Sequence, residues 1–418
     1  MNIKKTLRRL LTGTLCSAVF ITQTVPVFAT DSYGAPLVTA TPTPDPHTAY
    51  YNQPADTDSI EGWVKAPQIE GESAILVDML SGTVLYSKNA DKAQYPASIT
   101  KIMTGLLGCE NLDPSAKFTM TESAARSITE SNSSSIYADT GEEFTIEQAL
   151  MAVMLQSANE MSVAVAEKVS GSVKKFTELM NWRAKLFGCK NTHFNNPNGL
   201  PDENHYTTAS DMAKIAKAAW LNPLYRRFCT RRYYEIPATN KFAEARQLLN
   251  HHKMIKNGEY YYEGVLGGKT GYTDASGNTL VTYCKRGNMT LVAVILNSTS
   301  AANAYGDTAS LFNYGYDNFE KLDMKVSMDP VPFKVLPCDK YILKNNGNTY
   351  PFYYKSKVYV TVPKGTKSSS LAKRQAVLQD AVGPLRLKSK YYYNKQMVGW
   401  GMQYERNVVS DLLLQASS

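Results

Sequence analysis

Strand-forming segments lie at the two ends of the region between residues 69 and 320, and helix-forming segments fill the stretch between them. The segment 73–87 predicts two strands joined by a turn at Ser81-Gly82. Residues 279–284 and 290–297 predict two further strands, separated by a turn at 285–288. Strands that alternate with helices would indicate a repeated βαβ unit, whereas strands grouped at the ends indicate an α+β layer architecture. We therefore expect an α+β fold.

Helices are predicted for the middle of this region and for its end. Apolar residues recur at helical spacing in "YPASITKIMTGLLGCE", and Thr145 and Gln148 have the spacing of a capping box that opens a helix running to residue 155. Residues 160–169 and 210–220 predict two more helices, and a helix near 308–319 is expected to close the region.

The first 29 residues have the composition of an export signal. Basic residues at 4, 5, 8 and 9 precede a short apolar stretch, and "VFA" at 27–29 ends in a small residue of the kind that signal peptidases prefer. An uncleaved membrane anchor is the alternative, but the apolar stretch is short and interrupted by polar residues. We expect an exported, extracytoplasmic protein of the cell envelope, in which residues 30–68, rich in Thr, Pro and Asp, form an extended linker.

The region from residue 321 to 418 differs from the rest of the chain in its secondary-structure pattern and in its charge. Short strand-like runs broken by Pro, Gly and Asn predict a small β-rich domain. It contains 16 Lys/Arg and 6 Asp/Glu. Such a basic domain suits contact with anionic cell-wall polymers or lipid headgroups, and a simply solvated surface is the alternative. Apolar residues at 408, 409, 412 and 413 fit either a short membrane-binding helix or packing against this domain. Nucleic acid is not expected as a partner.

Cysteine usage indicates neither a zinc site nor a disulfide framework. Five cysteines follow the export signal, at 109, 189, 229, 284 and 338, and none belongs to a C-x-x-C pair. We expect buried free thiols, and we expect neither a metal nor a cofactor.

The glycine-rich stretch "GGKTGYT" at 267–273 raises the question of a phosphate site. A P-loop needs a glycine five residues before the Gly-Lys pair, and this chain has Glu263 there. A Ser-His-Asp site is also not indicated, because the chain has no G-x-S-x-G elbow. A lysine base is the remaining route to a nucleophilic serine.

Three short motifs follow one another in an order that suits such a site. Ser98-Ile-Thr-Lys101 places a hydroxyl and an amine on one face of a helix start, where burial and nearby positive charge would keep the amine neutral. Ser157-Ala-Asn159 lies between two predicted helices. Lys269-Thr270-Gly271 occurs once and is expected to open a strand. S-x-x-K and S-x-N each occur three times in the chain, so the combination carries the signal.

In this combination the chain resembles the serine-type D-Ala-D-Ala carboxypeptidases, the low-molecular-mass penicillin-binding proteins that share these motifs with serine β-lactamases. "YPASITKIMTGLL", "LQSANEMSVAVAE", "THFNNPNGLPDENHYTTASDMAKIA" and "GVLGGKTGYTDASGNTLV" extend the resemblance over residues 70 to 320. The resemblance implies a β-lactamase/transpeptidase-like catalytic domain over 69–320, with an antiparallel sheet and a helical cluster. A small β-rich domain after the catalytic one is also a trait of that family.

The resemblance assigns catalytic roles residue by residue. Ser98 would be the acylated nucleophile, and Lys101 would be its general base. Ser157 would relay a proton to the leaving D-alanine, and Asn159 would hold the substrate amide. The backbone N–H groups of Ser98 and Tyr272 would form the oxyanion hole.

The same resemblance assigns substrate binding to the third motif. Lys269 would supply positive potential, and Thr270 would bind the substrate carboxylate with Thr273 nearby. Gly271 would let the peptide approach the strand. Several relatives carry an arginine just before the last helix of the catalytic domain that helps to bind this carboxylate, whereas this chain reads "STSAANAYGDTAS" there.

The expected activity is therefore removal of the terminal D-alanine from peptidoglycan stem peptides, with β-lactam antibiotics as acylating inhibitors. Two alternatives remain open at the level of sequence. One is a β-lactamase-like hydrolase on the same scaffold, which would need a deacylating carboxylate; Glu203 lies downstream of the second motif but without an E-x-x-L-N context. The other is a cell-wall-binding protein that does not hydrolyse its ligand.

Overall fold

The structure is a computed structural model that describes residues 50–128, 133–255, 258–324, 331–332, 349–350, 352–354, 357–378 and 386–405. The predicted export signal, residues 30–49 of the predicted linker and the apolar stripe near the C-terminus lie outside the described residues. In the described part of the chain, no helix has both the length and the hydrophobicity needed to cross a bilayer.

Seventeen strands and eight α-helices are found in the described residues. The strands are β1 Ser73–Asp78, β2 Val84–Lys88, β3 Lys117–Thr119, β4 Glu143–Thr145, β5 Tyr233–Ile236, β6 Arg246–Leu249, β7 Val265–Thr273, β8 Gly277–Arg286, β9 Met289–Ser298, β10 Phe319–Asp323, β11 Val331–Pro332, β12 Thr349–Tyr350, β13 Phe352–Tyr354, β14 Tyr359–Pro363, β15 Ala372–Leu378, β16 Arg386–Tyr393 and β17 Gln396–Glu405. The helices are α1 Lys101–Asn111, α2 Glu122–Ala125, α3 Ile146–Met151, α4 Asn159–Ser170, α5 Val173–Leu186, α6 Ala209–Leu221, α7 Pro223–Cys229 and α8 Ala301–Asn318.

The first sheet joins strands from the two ends of the catalytic region. Its five strands have the order β2-β1-β9-β8-β7, and all neighbours are antiparallel. The pairing of β1 with β9 runs from Ser73 opposite Leu296 to Asp78 opposite Leu291. This arrangement confirms the predicted α+β fold, and it leaves β7, which carries the third motif, at one edge of the sheet.

Helices cover both faces of this sheet. Successive side chains of a strand point to opposite faces, so Ile75 and Val77 pack into the cluster of helices around α1, whereas Ala74 and Leu76 pack on the side of α8. All six residues of β1 are buried. The last helix begins earlier than the sequence indicated, because Ser300 caps it by accepting a hydrogen bond from the backbone N–H of Asn303.

The part of the predicted linker that the structure describes, residues 50–68, packs against the fold. The side chain of Trp63 is buried, and its ring lies 5.0 Å from that of Phe319 and 5.7 Å from that of Tyr393. Its indole N–H donates to the carbonyl of Leu85. Trp63 thus packs this segment, which is rich in Pro, Thr and Asp, against strands β2, β10 and β16.

A second sheet follows the catalytic region. Its strands have the order β10-β14-β17-β16-β15, and β13 also pairs with β17. The first β-hairpin of the catalytic region contacts it directly, since Thr83 Oγ1 donates to the Val398 carbonyl and Ser81 Oγ lies 2.9 Å from Thr361 Oγ1. The family trait of a β-rich region after the catalytic one is present, while the boundary at 320/321 stays a prediction.

Candidate active site

Ser98 and Lys101 lie where a short turn becomes a helix. Ala97–Thr100 form a 3₁₀ turn that leads directly into α1. Lys101 is fully buried, and its Nζ lies 2.9 Å from Ser98 Oγ, 2.7 Å from Asn159 Oδ1 and 2.6 Å from the Asn198 carbonyl oxygen. A neutral amine has two N–H groups and one lone pair. With both N–H groups bound to carbonyl oxygens, the lone pair is left for the hydroxyl hydrogen of Ser98.

The surroundings of the two lysines favour a neutral amine at Lys101. Burial lowers the pKa of Lys101 well below its usual value, and the nearby charge of Lys269 lowers it further, while the carboxylate of Glu160 opposes the shift. Burial lowers the pKa of Lys269 to about 7. A general base that is neutral near physiological pH is what proton abstraction from a serine requires.

Ser157 follows an irregular end of a helix. The capping box of Thr145 and Gln148 is present as predicted, but α3 ends at Met151 and continues as a wider π turn over Ala152–Gln156. Ser157 then adopts the left-handed region with a φ of 60°. For a residue other than glycine this conformation costs of order 1–3 kcal/mol, and such wide turns occur often at functional sites. The Ser157 hydroxyl lines the cleft and is without a hydrogen-bond partner among the described residues.

The start of α4 holds a neighbouring loop in place. The backbone N–H of Asn159 donates to the carbonyl of Ser134. The buried carboxylate of Glu160 accepts hydrogen bonds from Ser135 Oγ at 2.8 Å and from the backbone N–H of Ile136 at 2.7 Å. These contacts fix Ser134 at the wall of the cleft.

A buried histidine organises the loop that supplies the Asn198 carbonyl. His205 Nδ1 accepts the backbone N–H of Asn195, and Nε2 lies 2.8 Å from Thr100 Oγ1, to which it donates in this tautomer. Burial lowers the pKa of His205 to about 4, so the ring is neutral at pH 7. Its role here is to hold the loop next to Lys101.

Strand β7 brings the third motif against Ser98. The motif occupies the second half of this strand rather than its beginning. Lys269 is buried, and its Nζ donates to the Thr270 carbonyl at 2.9 Å. A methyl group added at Gly271 would lie 2.9 Å from the backbone nitrogen of Ser98 and 3.1 Å from Ala97 Cβ. A glycine is therefore needed for the edge strand to pass this close to Ser98.

These residues surround an open cleft of about 350 Å³. Its described lining is Ser98, Ser134, Ser157, His251, Lys253, Thr270, Gly271, Tyr272, Asn278, Thr279, Leu280, Ala301, Ala304 and Tyr305. Lys101, Asn159 and Lys269 are buried next to it. Thr273 is not part of this lining, and its hydroxyl lies 2.9 Å from Ser276 Oγ within the turn that follows β7.

Several lining residues carry no signal that sequence reasoning could use. Ser134, His251, Lys253 and Tyr305 come from loops and from α8, and they belong to no motif. Burial, followed by the charges of Lys269 and Lys101, lowers the pKa of His251 to about 4 and keeps this ring neutral. Lys253 is thus the charged side chain in the described lining, and its Nζ lies 2.6 Å from Glu259 Oε2. The described lining contains no arginine.

The described residues contain no group of His, Cys, Asp and Glu arranged to hold a metal ion. Cys109, Cys189, Cys229 and Cys284 are free thiols, of which Cys229 and Cys284 are buried. Cys338 lies outside the described residues.

A protein-family model described as D-alanyl-D-alanine carboxypeptidase, of peptidase family S11, matches residues 61–300. The D-alanyl-D-alanine carboxypeptidase DacF of Bacillus subtilis is 36% identical over 253 residues, which are 60% of this chain and 63% of that protein. The D-alanyl-D-alanine carboxypeptidase DacA of Haemophilus influenzae is 30% identical over 340 residues, or 77% of this chain and 79% of that protein. The chain thus spans slightly less than two thirds of the first relative's length and about four fifths of the second's.

Solved structures of similar fold extend the similarity beyond the catalytic region. Penicillin-binding protein 5 from Haemophilus influenzae has a TM-score of 0.67 and 26% sequence identity, and the match covers 82% of this chain and 98% of that one. The Streptomyces K15 DD-transpeptidase has a TM-score of 0.57 and 29% identity, and the match covers 61% of this chain and all of that one. Because the match to penicillin-binding protein 5 covers 82% of this chain, it includes residues after the catalytic region.

Proposed function

The chain belongs to the D-alanyl-D-alanine carboxypeptidase family of peptidases, and we propose that it removes the terminal D-alanine from peptidoglycan stem peptides through an acyl-enzyme on Ser98. The observation that carries this proposal is the environment of Lys101, whose Nζ lies 2.9 Å from Ser98 Oγ and has two carbonyl oxygens for its N–H groups. The names of the relatives do not favour the β-lactamase-like or the non-hydrolysing alternative.

The reaction begins with attack on the carbonyl between the two terminal D-alanines. Lys101 Nζ takes the proton of Ser98 as Oγ bonds to the carbonyl carbon. The negative charge on the carbonyl oxygen is met by the backbone N–H groups of Ser98 and Tyr272. Backbone donors that are fixed before the reaction stabilise such an oxyanion strongly, because they need no reorganisation.

The tetrahedral intermediate then expels D-alanine. Ser157 passes the proton from Lys101 to the leaving amine, the carbon–nitrogen bond breaks, and an ester on Ser98 remains. Water attacks the ester carbon while Lys101 accepts one of its protons. The bond between this carbon and Ser98 Oγ then breaks, Lys101 returns the proton to Ser98 Oγ, and the peptide leaves with a new carboxylate. The free hydroxyl of Ser157 at the wall of the cleft suits it to this relay.

Substrate binding is assigned to β7 and the cleft rim. Thr270 would donate to the terminal carboxylate, with Lys269 behind it as a buried positive charge. Lys253 would add a second cation at the rim, where this chain has no arginine. Asn159 would bind the peptide amide. A β-lactam, whose strained amide and carboxylate occupy the same places, would acylate Ser98 and stay bound.

An extracytoplasmic location follows from such a substrate, since peptidoglycan lies outside the cytoplasm. We propose that residues 1–29 direct export, that the mature chain acts at the cell envelope, and that the basic C-terminal region contacts the wall or the membrane surface.

The test combines two measurements on one protein and two serine variants. We expect a labelled penicillin to form a stable adduct, and we expect release of D-alanine from diacetyl-Lys-D-Ala-D-Ala. Both should be lost in Ser98→Ala. Ser172→Ala is the matched control, because Ser172 also stands three residues before a lysine but caps α5 at the surface, so this variant should retain both activities.

Each outcome of this test has a distinct meaning. Rapid release of the drug would indicate a β-lactamase-like hydrolase. Labelling without release of D-alanine would exclude the carboxypeptidase. Absence of labelling at Ser98 would refute the proposed nucleophile.

A further inference from the structure

One face of the second sheet is strongly cationic. Along β16, Arg386, Lys388 and Lys390 alternate with buried residues and therefore share the exposed face. Arg374 of β15 stands opposite Lys390, and Trp400 of β17 stands opposite it on the other side. Arg374, Arg386, Lys388 and Lys390 are called the basic face below.

Three members of the basic face, Arg374, Lys388 and Lys390, have no acidic partner among the described residues. Strands β15, β16 and β17 together contain five Lys/Arg and one acidic residue, Glu405, at their end. Like charges directly opposite each other destabilise a sheet. The pair of Arg374 and Lys390 therefore opposes folding, and a ligand that supplies negative charge would relieve this repulsion.

Aromatic rings hold two of these cations along the surface of the sheet. The guanidinium carbon of Arg374 lies 5.0 Å from the ring centroid of Tyr392, and Lys388 Nζ lies 4.8 Å from that of Trp400. Cation–π contacts of this kind keep a long side chain extended. The charges are thus arranged before a ligand arrives, which reduces the entropy lost on binding.

The apolar groups of this face are poorly placed to enter a bilayer. Trp400 is the large apolar side chain that is exposed in the described part of the sheet, and Lys388 covers its ring. The indole nitrogen of Trp400 also lies about 4.0 Å from the position that a Cβ on Gly82 would take, so the ring packs against the first hairpin. Membrane-surface elements usually combine basic residues with apolar groups that insert below the headgroups. The described side chains of the basic face offer charge without such an apolar insertion group.

We propose that the basic face binds a linear polyanion in which phosphodiester groups repeat along the chain. Neighbouring cations on one face of a sheet stand about 5 Å apart across strands and about 7 Å apart along a strand, so several can contact successive phosphates. Lysine and arginine are the usual partners of phosphate oxygens.

The experiment measures binding of the whole exported chain to long-chain inorganic polyphosphate by electrophoretic mobility shift at several salt concentrations. We expect binding that weakens as salt rises. The variant Arg374→Gln/Lys388→Gln/Lys390→Gln should bind about 100-fold more weakly. In a plot of log affinity against log salt concentration, the slope for this variant should be smaller in magnitude by about 2.

Two control variants separate this face from net charge and from folding. Lys357→Gln/Lys364→Gln/Lys367→Gln removes the same charge from the same sheet region but outside the basic face, and it should bind nearly as tightly as the unmodified chain. Arg374→Lys/Lys388→Arg/Lys390→Arg keeps every charge and should also bind. Thermal unfolding midpoints close to that of the unmodified chain would show that each variant is folded.

Three outcomes would overturn the proposal. The first is no binding of polyphosphate by the unmodified chain. The second is an equal loss in the two glutamine variants, which would mean that only net charge matters. The third is sedimentation with vesicles of phosphatidylcholine and phosphatidylglycerol while polyphosphate fails to bind, which would assign the basic face to a lipid surface.

Discussion

The catalytic region and the C-terminal sheet use lysine in opposite ways. In the catalytic region, Lys101 and Lys269 are buried and donate to carbonyl oxygens, two for Lys101 and that of Thr270 for Lys269, and burial lowers both pKa values. In the C-terminal sheet, Lys388 and Lys390 lie on an open face beside other cations. Burying an ammonium group is unfavourable unless it is compensated, so the first arrangement weakens proton binding, whereas the second presents full charges to the surroundings. The same residue type is thus buried and weakly basic in one region and exposed among other cations in the other.

Among the variants that test this difference between the two regions, removal of the buried Lys101 amine should have the largest effect. We expect Lys101→Ala to slow acylation by a labelled penicillin about 1000-fold, because Ser98 then has no group to accept its proton. The exposed Lys364 provides the comparison, and Lys364→Ala should acylate at the normal rate. Equal rates for all three proteins would mean that burial of Lys101 has no catalytic purpose.

A change in the strand that passes the nucleophile should have the next largest effect. We expect Gly271→Ala to slow acylation about 100-fold, since the added methyl group would lie too close to Thr279 Oγ1 and to the Ser98 backbone nitrogen and would displace Ser98 or the strand. Gly306→Ala adds the same group where the structure has open space, and it should leave the rate unchanged. A normal rate in Gly271→Ala would show that the strand can move away without cost.

The buried lysines also predict how the rate depends on pH. Acylation needs neutral Lys101 and charged Lys269, so the second-order rate should fall at low pH as Lys101 gains a proton. It should fall again above pH 7, by up to about tenfold per pH unit, as Lys269 loses its proton. Labelling rates measured from pH 5 to 10 test this. In Lys269→Arg the charge persists, so the fall at high pH should disappear; a fall that persists would assign it to another group.

The smallest expected effect concerns a cation that is exposed although it lies at the active site. We expect Lys253→Ala to raise KM for diacetyl-Lys-D-Ala-D-Ala about fivefold and to leave kcat nearly constant, because an exposed charge contributes little binding energy. Lys253→Arg should restore KM. An unchanged KM in Lys253→Ala would mean that β7 alone binds the carboxylate.

The features that the sequence predicts correctly depend on neighbouring residues. The capping box at Thr145, the first β-hairpin and the helix that follows Ser98 are defined by spacing within a few positions. The sheet order could not be read in this way, since the pairing of β1 with β9 joins residues more than 200 positions apart. The helix Val173–Leu186 was not predicted, because its apolar residues are separated by many charged and polar ones.

The same limit applies to the candidate site. The three motifs identify Ser98, Ser157 and Thr270, and the structure brings these residues together around one cleft. His251 and Lys253 reach this cleft from a loop whose position depends on the packing of distant elements. The left-handed Ser157 and the π turn before it also follow from tertiary packing, because no local signal in the sequence marks them.

The burial of Lys269 has a consequence for calorimetry. An amine with a pKa of about 7 is only partly protonated when the cleft is empty at neutral pH. A carboxylate that settles beside it favours the ammonium form, so every anionic ligand should draw a fraction of a proton from the buffer as it binds. The apparent heat of binding should then vary with the ionisation enthalpy of the buffer. Ligand affinity and hydrogen-ion activity are thus coupled through one side chain.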